Sequence, residues 1–141
     1  MEIKLFVDYG IIGFLIFMSI VSLSLAIERY LTYRKIKIED FAERKSLELV
    51  LTAKIHIIAT IGSNAPYIGL LGTVAGLMFT FSSIGEEGYM DTGRIMIGLA
   101  LALKATATGL LVAIPSVAFH NFILRKAKVL LMTWEIKNDG R

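Results

Sequence analysis

Threonine hydroxyls at helical spacing, one isolated lysine and no carboxylate are the chemical groups in the apolar part of this 141-residue chain. Thr73 and Thr80 lie in the uncharged run from Ile55 to Ile84. Thr106 lies in a later apolar run, with Lys104 two residues before it. A hydroxyl donates one hydrogen bond and accepts two, so facing threonines can hold water or a protonated group in an otherwise apolar wall. They do not carry a proton themselves. A carrier needs an ionisable group whose pKa can cycle, and positions 9–27, 57–84 and 95–124 contain no Asp or Glu. If protons cross here, a partner supplies the carboxylate.

The hydroxyls sit in stripes of small residues. In the earlier run Gly62, Ala65, Gly69, Gly72, Thr73, Gly76, Thr80 and Ser83 recur every three or four positions, and Ile68, Leu71, Met78 and Phe79 occupy the other side. In the later run Gly98, Ala102, Ala105, Thr106, Gly109, Ala113, Ser116 and His120 do the same. Small residues let membrane helices approach closely, so one expectation is packing at Gly69, Gly72, Gly76 and Gly109. The sharper expectation is a lining in which Thr73, Thr80 and Thr106 offer hydroxyls to an ion or proton path. At ~1.5 Å per residue, Thr106 lies ~16 Å from Ile95 and Thr73 the same distance from Ile84. A short turn between the helices then puts the two threonines at matching depth.

Lys104 is the one charge well inside an apolar run. Burying a lysine there costs about 2.5–3.5 kcal/mol or more and marks a functional position by default. Snorkelling to the outer face, ~14 Å from Ile95, exceeds the unaided reach of its stem. It lies nearly opposite Thr106 on a helix, so it is expected to face a neighbouring subunit or the second helix. Pro66 and Pro115 are expected to kink their helices, with Asn64 and Tyr67 helping to satisfy the carbonyl that Pro66 frees. His56 and His120, with Asn121, are expected to make interfacial hydrogen bonds.

These residues need three membrane-spanning helices to position them. A hydrophobic fraction of 55% exceeds the ~45–50% of soluble domains. The reading is an all-α integral membrane protein of one domain, 1–141, with spans at about 9–27, 57–84 and 95–124. The small-residue cleavage-like site at Ser24-Leu25-Ala26 follows no basic leader, so the first run reads as an uncleaved span. Positions 28–56 form a polar segment holding Arg29, Arg34, Lys35, Lys37, Arg44, Lys45 and Lys54, and 85–94 a Gly-rich acidic turn with Asp91 or Thr92 as helix cap. Phe41, Leu47, Val50, Leu51 and Ile55 predict an amphipathic helix, opened by Glu39 and Asp40, that runs into the second span. More basic residues follow the third span. The positive-inside rule therefore puts 28–56 and the C-terminus in the cytoplasm, and the N-terminus and the turn outside. With no cysteine, two histidines, and no nucleophile–base pair or phosphate loop, the chain reads as neither an enzyme nor a metal or cofactor protein. Its basic residues suit a lipid bilayer surface, not nucleic acid.

Ala65 to Gly76 and Leu103 to Pro115 resemble the two signature helices of the ExbB/TolQ/MotA proton-channel family, most closely its ExbB branch. The resemblance implies a ring-shaped homo-oligomer, a pentamer, in the bacterial inner membrane, with the second and third helices projecting into the cytoplasm. It implies two ExbD-like single-span partners inside the ring whose aspartate carries the proton, and a TonB-like protein that passes proton motive force to outer-membrane transport. Thr73 and Thr106 match the family's pore-lining threonines. Many relatives carry a glutamate five residues before the second threonine, where this chain has Leu101. The short 28–56 segment is unlike the large cytoplasmic domain of MotA-like members, and favours an ExbB-like over a TolQ-like role.

Overall fold

The computed structural model describes residues 2–89 and 91–139, which form helices joined by short connections. Helix α1 spans Glu2–Lys35, a 3-10 turn covers Ile38–Asp40, and α2 spans Arg44–Thr52. Helix α3 spans Ile55–Glu87 and α4 Thr92–Asp139. Three of these, α1, α3 and α4, contain stretches long and apolar enough to cross a membrane. In hydrocarbon a backbone must satisfy its own hydrogen bonds, which is why such runs fold as unbroken helices. Helices α3 and α4 form an antiparallel pair, and α1 lies against both.

Each helix outruns its apolar stretch. Helix α1 continues past Ile27 to Lys35, and α4 is 48 residues long. Both prolines lie within continuous helices, Pro66 in α3 and Pro115 in α4. The expected help for the carbonyl of Gly62, freed by Pro66, does not form. Asn64 donates instead to Thr60 O at 2.8 Å, and Tyr67 is 69% exposed.

The amphipathic helix is present but does not run into the second span. It ends at Thr52, and Lys54 turns the chain with φ 67°, the one non-glycine positive φ among the described residues. Nor do Glu39 and Asp40 open it: they lie in the 3-10 turn, and α2 starts after an extended Glu43. A left-handed lysine costs ~1 kcal/mol or more, and tertiary contacts hold it. Lys54 Nζ donates to Glu28 Oε1 at 2.9 Å. Arg29, only 6% exposed, donates to Val50 O at 2.9 Å, and the Tyr33 hydroxyl donates to Leu51 O. Two side chains of α1 thus cap the free carbonyl end of α2, where a cation also suits the helix dipole. Below them Leu47, Leu51, Ile55, Ile58, Ile123 and Leu131 form the core that joins this end of the bundle.

At the opposite end Gly88 ends α3 in the left-handed conformation, φ 72°, its N–H donating to Ile84 O. Asp91 caps α4 as expected, its carboxylate accepting from Gly93 N–H at 3.0 Å.

Candidate functional site

The two small-residue stripes face each other. Gly62, Ala65, Gly69, Gly72, Gly76 and Thr80 are buried on α3, and Gly98, Ala102, Ala105, Gly109, Ala113 and Ser116 on α4. The backbones are so close that a methyl group on Gly69 would lie 2.7 Å from Ala105 O and 3.1 Å from the Cα of Gly109. One on Gly109 would lie 2.6 Å from Ala65 O. Gly72 and Gly76 meet Ala105 and Ala102 in the same way. This is helix association by small residues, in which contact area replaces the absent hydrophobic force.

The two edges of the seam differ. At Gly72 and Ala105 it is closed by Ile11 of α1. One residue further on in each helix, ~100° round, Thr73 and Thr106 form the edge that α1 leaves uncovered. Exposed Leu70, Val74, Leu103 and Leu110 flank that edge. The structure brings the two threonines together: their hydroxyls are hydrogen-bonded to each other, and Thr73 Oγ1 donates across the seam to Ala102 O at 2.9 Å. With the single Thr73 proton on that carbonyl, Thr106 is the donor to Thr73. Both remaining lone pairs of Thr106 Oγ1 are then unengaged among the described residues. The half-buried pair can accept a proton-bearing group, such as water or a neutral carboxylic acid, at mid-depth in an apolar wall.

Thr80 is placed differently. It is 7% exposed, packs on Gly98, and donates to Gly76 O at 2.9 Å. One side of it reaches a cavity of about 80 Å³ at the turn, lined also by Ser83, Glu87, Tyr89, Asp91 and Arg94. Lys104 is exposed, and among the described residues its ammonium makes no ion pair with α3. Thr108 donates to its carbonyl oxygen. Leu101, at the family glutamate position, is 41% exposed beside a groove that includes Leu5, Asp8 and Phe79.

Of the histidines, His56 is exposed. His120 has a buried Nδ1 with no hydrogen-bond partner, so the bond expected of it is not made there. Polar contacts between elements escaped sequence reading, among them the capping of α2 by Arg29 and Tyr33 and the bond that joins Ser22 of α1 to Ser116 of α4. Each links residues far apart in the chain, and periodicity within one helix carries no signal of either.

Three long apolar helices, a glycine seam and a mid-depth hydroxyl pair define a polytopic membrane protein built for helix association around a polar edge. Residues 18–136 match the MotA/TolQ/ExbB proton channel family, and the chain belongs to it. It is 57% identical over 134 residues to the biopolymer transport protein ExbB of Aquifex aeolicus, covering 95% of this chain and 90% of that one. It is 45% identical over 128 residues to the protein of the same name from Helicobacter pylori, covering 91% and 88%. The Neisseria gonorrhoeae protein of that name is 34% identical over 120 residues, covering 74% of this chain and 54% of its own.

Proposed function

We propose that this chain is the channel subunit of an inner-membrane proton-driven motor for biopolymer transport, and not an enzyme. The observation that carries this is the Thr73–Thr106 pair on the α1-free edge, in a chain whose apolar runs hold no carboxylate. Copies would assemble as a ring, a pentamer on the family pattern, with the threonine edges turned to its inner contacts. The N-terminus and the 85–94 turn lie outside. The C-terminus and the far ends of α3 and α4 lie in the cytoplasm, where 28–56 and the tail carry the basic residues.

The carboxylate belongs to an ExbD-like single-span partner. A proton enters at the outer mouth, where the cavity at Thr80 opens among Glu87, Asp91 and Arg94, and reaches the partner's aspartate. An ionised carboxylate in hydrocarbon is costly, and a protonated one needs an acceptor for its O–H. Thr106 Oγ1 offers that acceptor. Protonation thus releases the partner helix from electrostatic restraint and docks it on the hydroxyl edge. Turning of the partner would pass proton motive force to a TonB-like protein for outer-membrane transport. The short polar segment favours this over a TolQ-like role in envelope integrity.

The test uses Thr73→Val and Thr106→Val, alone and together, with proton flux measured in liposomes containing the Asp-bearing partner. The double variant is expected to lose most of the flux. Thr73→Val should also destabilise the fold by ~0.6–1.7 kcal/mol, because it removes the bond to Ala102 O, and Thr106→Val by less. Normal flux with normal protein level in the double variant would refute the path. An unaltered chain that passes no protons with the Asp-bearing partner would be a packing scaffold.

A further inference from the structure

At the basic end of the bundle α1 and α4 enclose a groove of about 250 Å³, remote from the hydroxyl seam. Its walls are Leu23, Ala26, Ile27, Phe119, Phe122 and Ile123, with Tyr30 at one end. The hollow continues past Tyr30 to Lys126. The Tyr30 ring carries two cations, with Lys126 Nζ 5.0 Å and Arg34 Cζ 5.8 Å from its centroid. Among the described residues neither cation is ion-paired. An aromatic face attracts cations without neutralising them. The groove lies where the apolar run of α1 meets its basic segment, the depth at which tyrosines and snorkelling lysines and arginines mark the membrane interface.

We infer that this groove binds an anionic phospholipid, with one acyl chain along Leu23, Ile27 and Phe122 and the phosphate against Arg34 and Lys126. Charge complementarity favours a lipid over a second copy of the chain. The apolar runs of a second copy carry no carboxylate to offer. At this end Glu28, Glu39, Glu48 and Glu135 already pair with Lys54, Lys137 and Arg44, and the remaining Asp40, Glu43 and Asp139 are outnumbered by basic residues, so a second copy presents a net positive surface. A basic pocket between membrane helices on the cytoplasmic side is the setting in which anionic headgroups bind, at roughly fivefold in affinity per cation. The inference needs only that the chain resides in a membrane, and stands or falls apart from the proton path.

The experiment titrates the full-length protein in mild detergent with phosphatidylglycerol and with phosphatidylcholine of the same acyl chains. Bound lipid is counted by native mass spectrometry. Phosphatidylglycerol should bind at least fivefold more tightly, and Arg34→Gln with Lys126→Gln should abolish the preference. Lys37→Gln with Lys45→Gln removes the same charge from the same end and should leave it intact. Equal binding of the two lipids by the unaltered protein, or equal loss in both double variants, overturns the proposal. A benzophenone side chain in place of Phe122 gives a readout independent of those variants. Its cross-linking to phosphatidylglycerol supports the site, and cross-linking to a second copy overturns it.

Discussion

Ser22 of α1 and Ser116 of α4 meet hydroxyl to hydroxyl at 2.8 Å, 94 residues apart in the chain and sealed from the surroundings. Ser116 also lies 2.8 Å from Val112 O on its own helix. With its proton there, Ser22 is the donor between the helices. The bond sits beside the packed cluster of Leu15, Met18, Val112 and Ala113, and is the polar point in an otherwise apolar contact of α1. Ser22→Ala is expected to destabilise the chain by ~0.6 kcal/mol, the mean for such bonds within membranes. Ser22→Val should cost ~1–3 kcal/mol by overpacking. Unfolding in mixed detergent measures both, and a double-mutant cycle with Ser116→Ala isolates the bond.

The seam makes a sharper demand. Gly69→Ala and Gly109→Ala each place a methyl group under 3.0 Å from a backbone carbonyl of the facing helix, which cannot yield as a flexible side chain would. Each is expected to cost ~1–3 kcal/mol or more. Gly85, with nothing within 4 Å of such a methyl, is the control. Gly85→Ala should be neutral or stabilise α3 by up to ~1 kcal/mol. Equal unfolding midpoints for all three variants would mean the seam is looser than it is here.

Lys104 has no partner within its own chain among the described residues. Lys104→Met removes a charge that costs ~2.5–3.5 kcal/mol in hydrocarbon, so the single subunit should fold at least as well as before. Assembly or proton flux should fall if the ammonium contacts a neighbouring subunit. Size-exclusion chromatography and liposome flux separate these readings: an intact, fully active complex would make Lys104 a snorkelling residue.

At the basic end of the bundle Trp134 Nε1 donates to Phe41 O, Arg44 pairs with Glu135, and Lys137 donates to Glu39 at 2.8 Å. The hydrogen bond from Lys137 holds the Glu39 carboxyl below its ordinary range. A carboxylate whose folded pKa is depressed adds stability that is fully present above its unfolded value, about 4.3. That stability is lost as pH falls through the folded value. The gap in unfolding temperature between the unaltered chain and Glu39→Gln should therefore be constant from pH ~6 to ~8 and close on acidification below pH ~4. A gap that widens on acidification would contradict the pairing.

Much of this was legible in the residues. Spacing by three and four brought Gly69, Gly72 and Gly76 to one face of α3, and Ala102, Ala105 and Gly109 to one face of α4. Counting inward from Ile84 and Ile95 matched Thr73 with Thr106, which the structure joins. What escaped has a common cause. The break at Lys54 bears no Gly or Pro, because its left-handed turn is imposed by Glu28, Arg29 and Tyr33 from another helix. Asn64 found a carbonyl on its own helix nearer than the one Pro66 frees. Side-chain bonds between helices leave no period in either sequence, whereas packing faces do.

Helix α4 runs 48 residues without a break, or ~72 Å at 1.5 Å per residue, more than twice the ~30 Å hydrocarbon slab. Pro115 lies between Thr106 and Trp134 in this continuous helix. A tilt imposed at Thr106 and carried through Pro115 would appear, enlarged with distance, at Trp134 and Lys137, where the clasp to Phe41 and Glu39 would register it as shear. One helix thus carries both the Thr106 hydroxyl in its apolar run and, further along, the Trp134 side chain of the clasp.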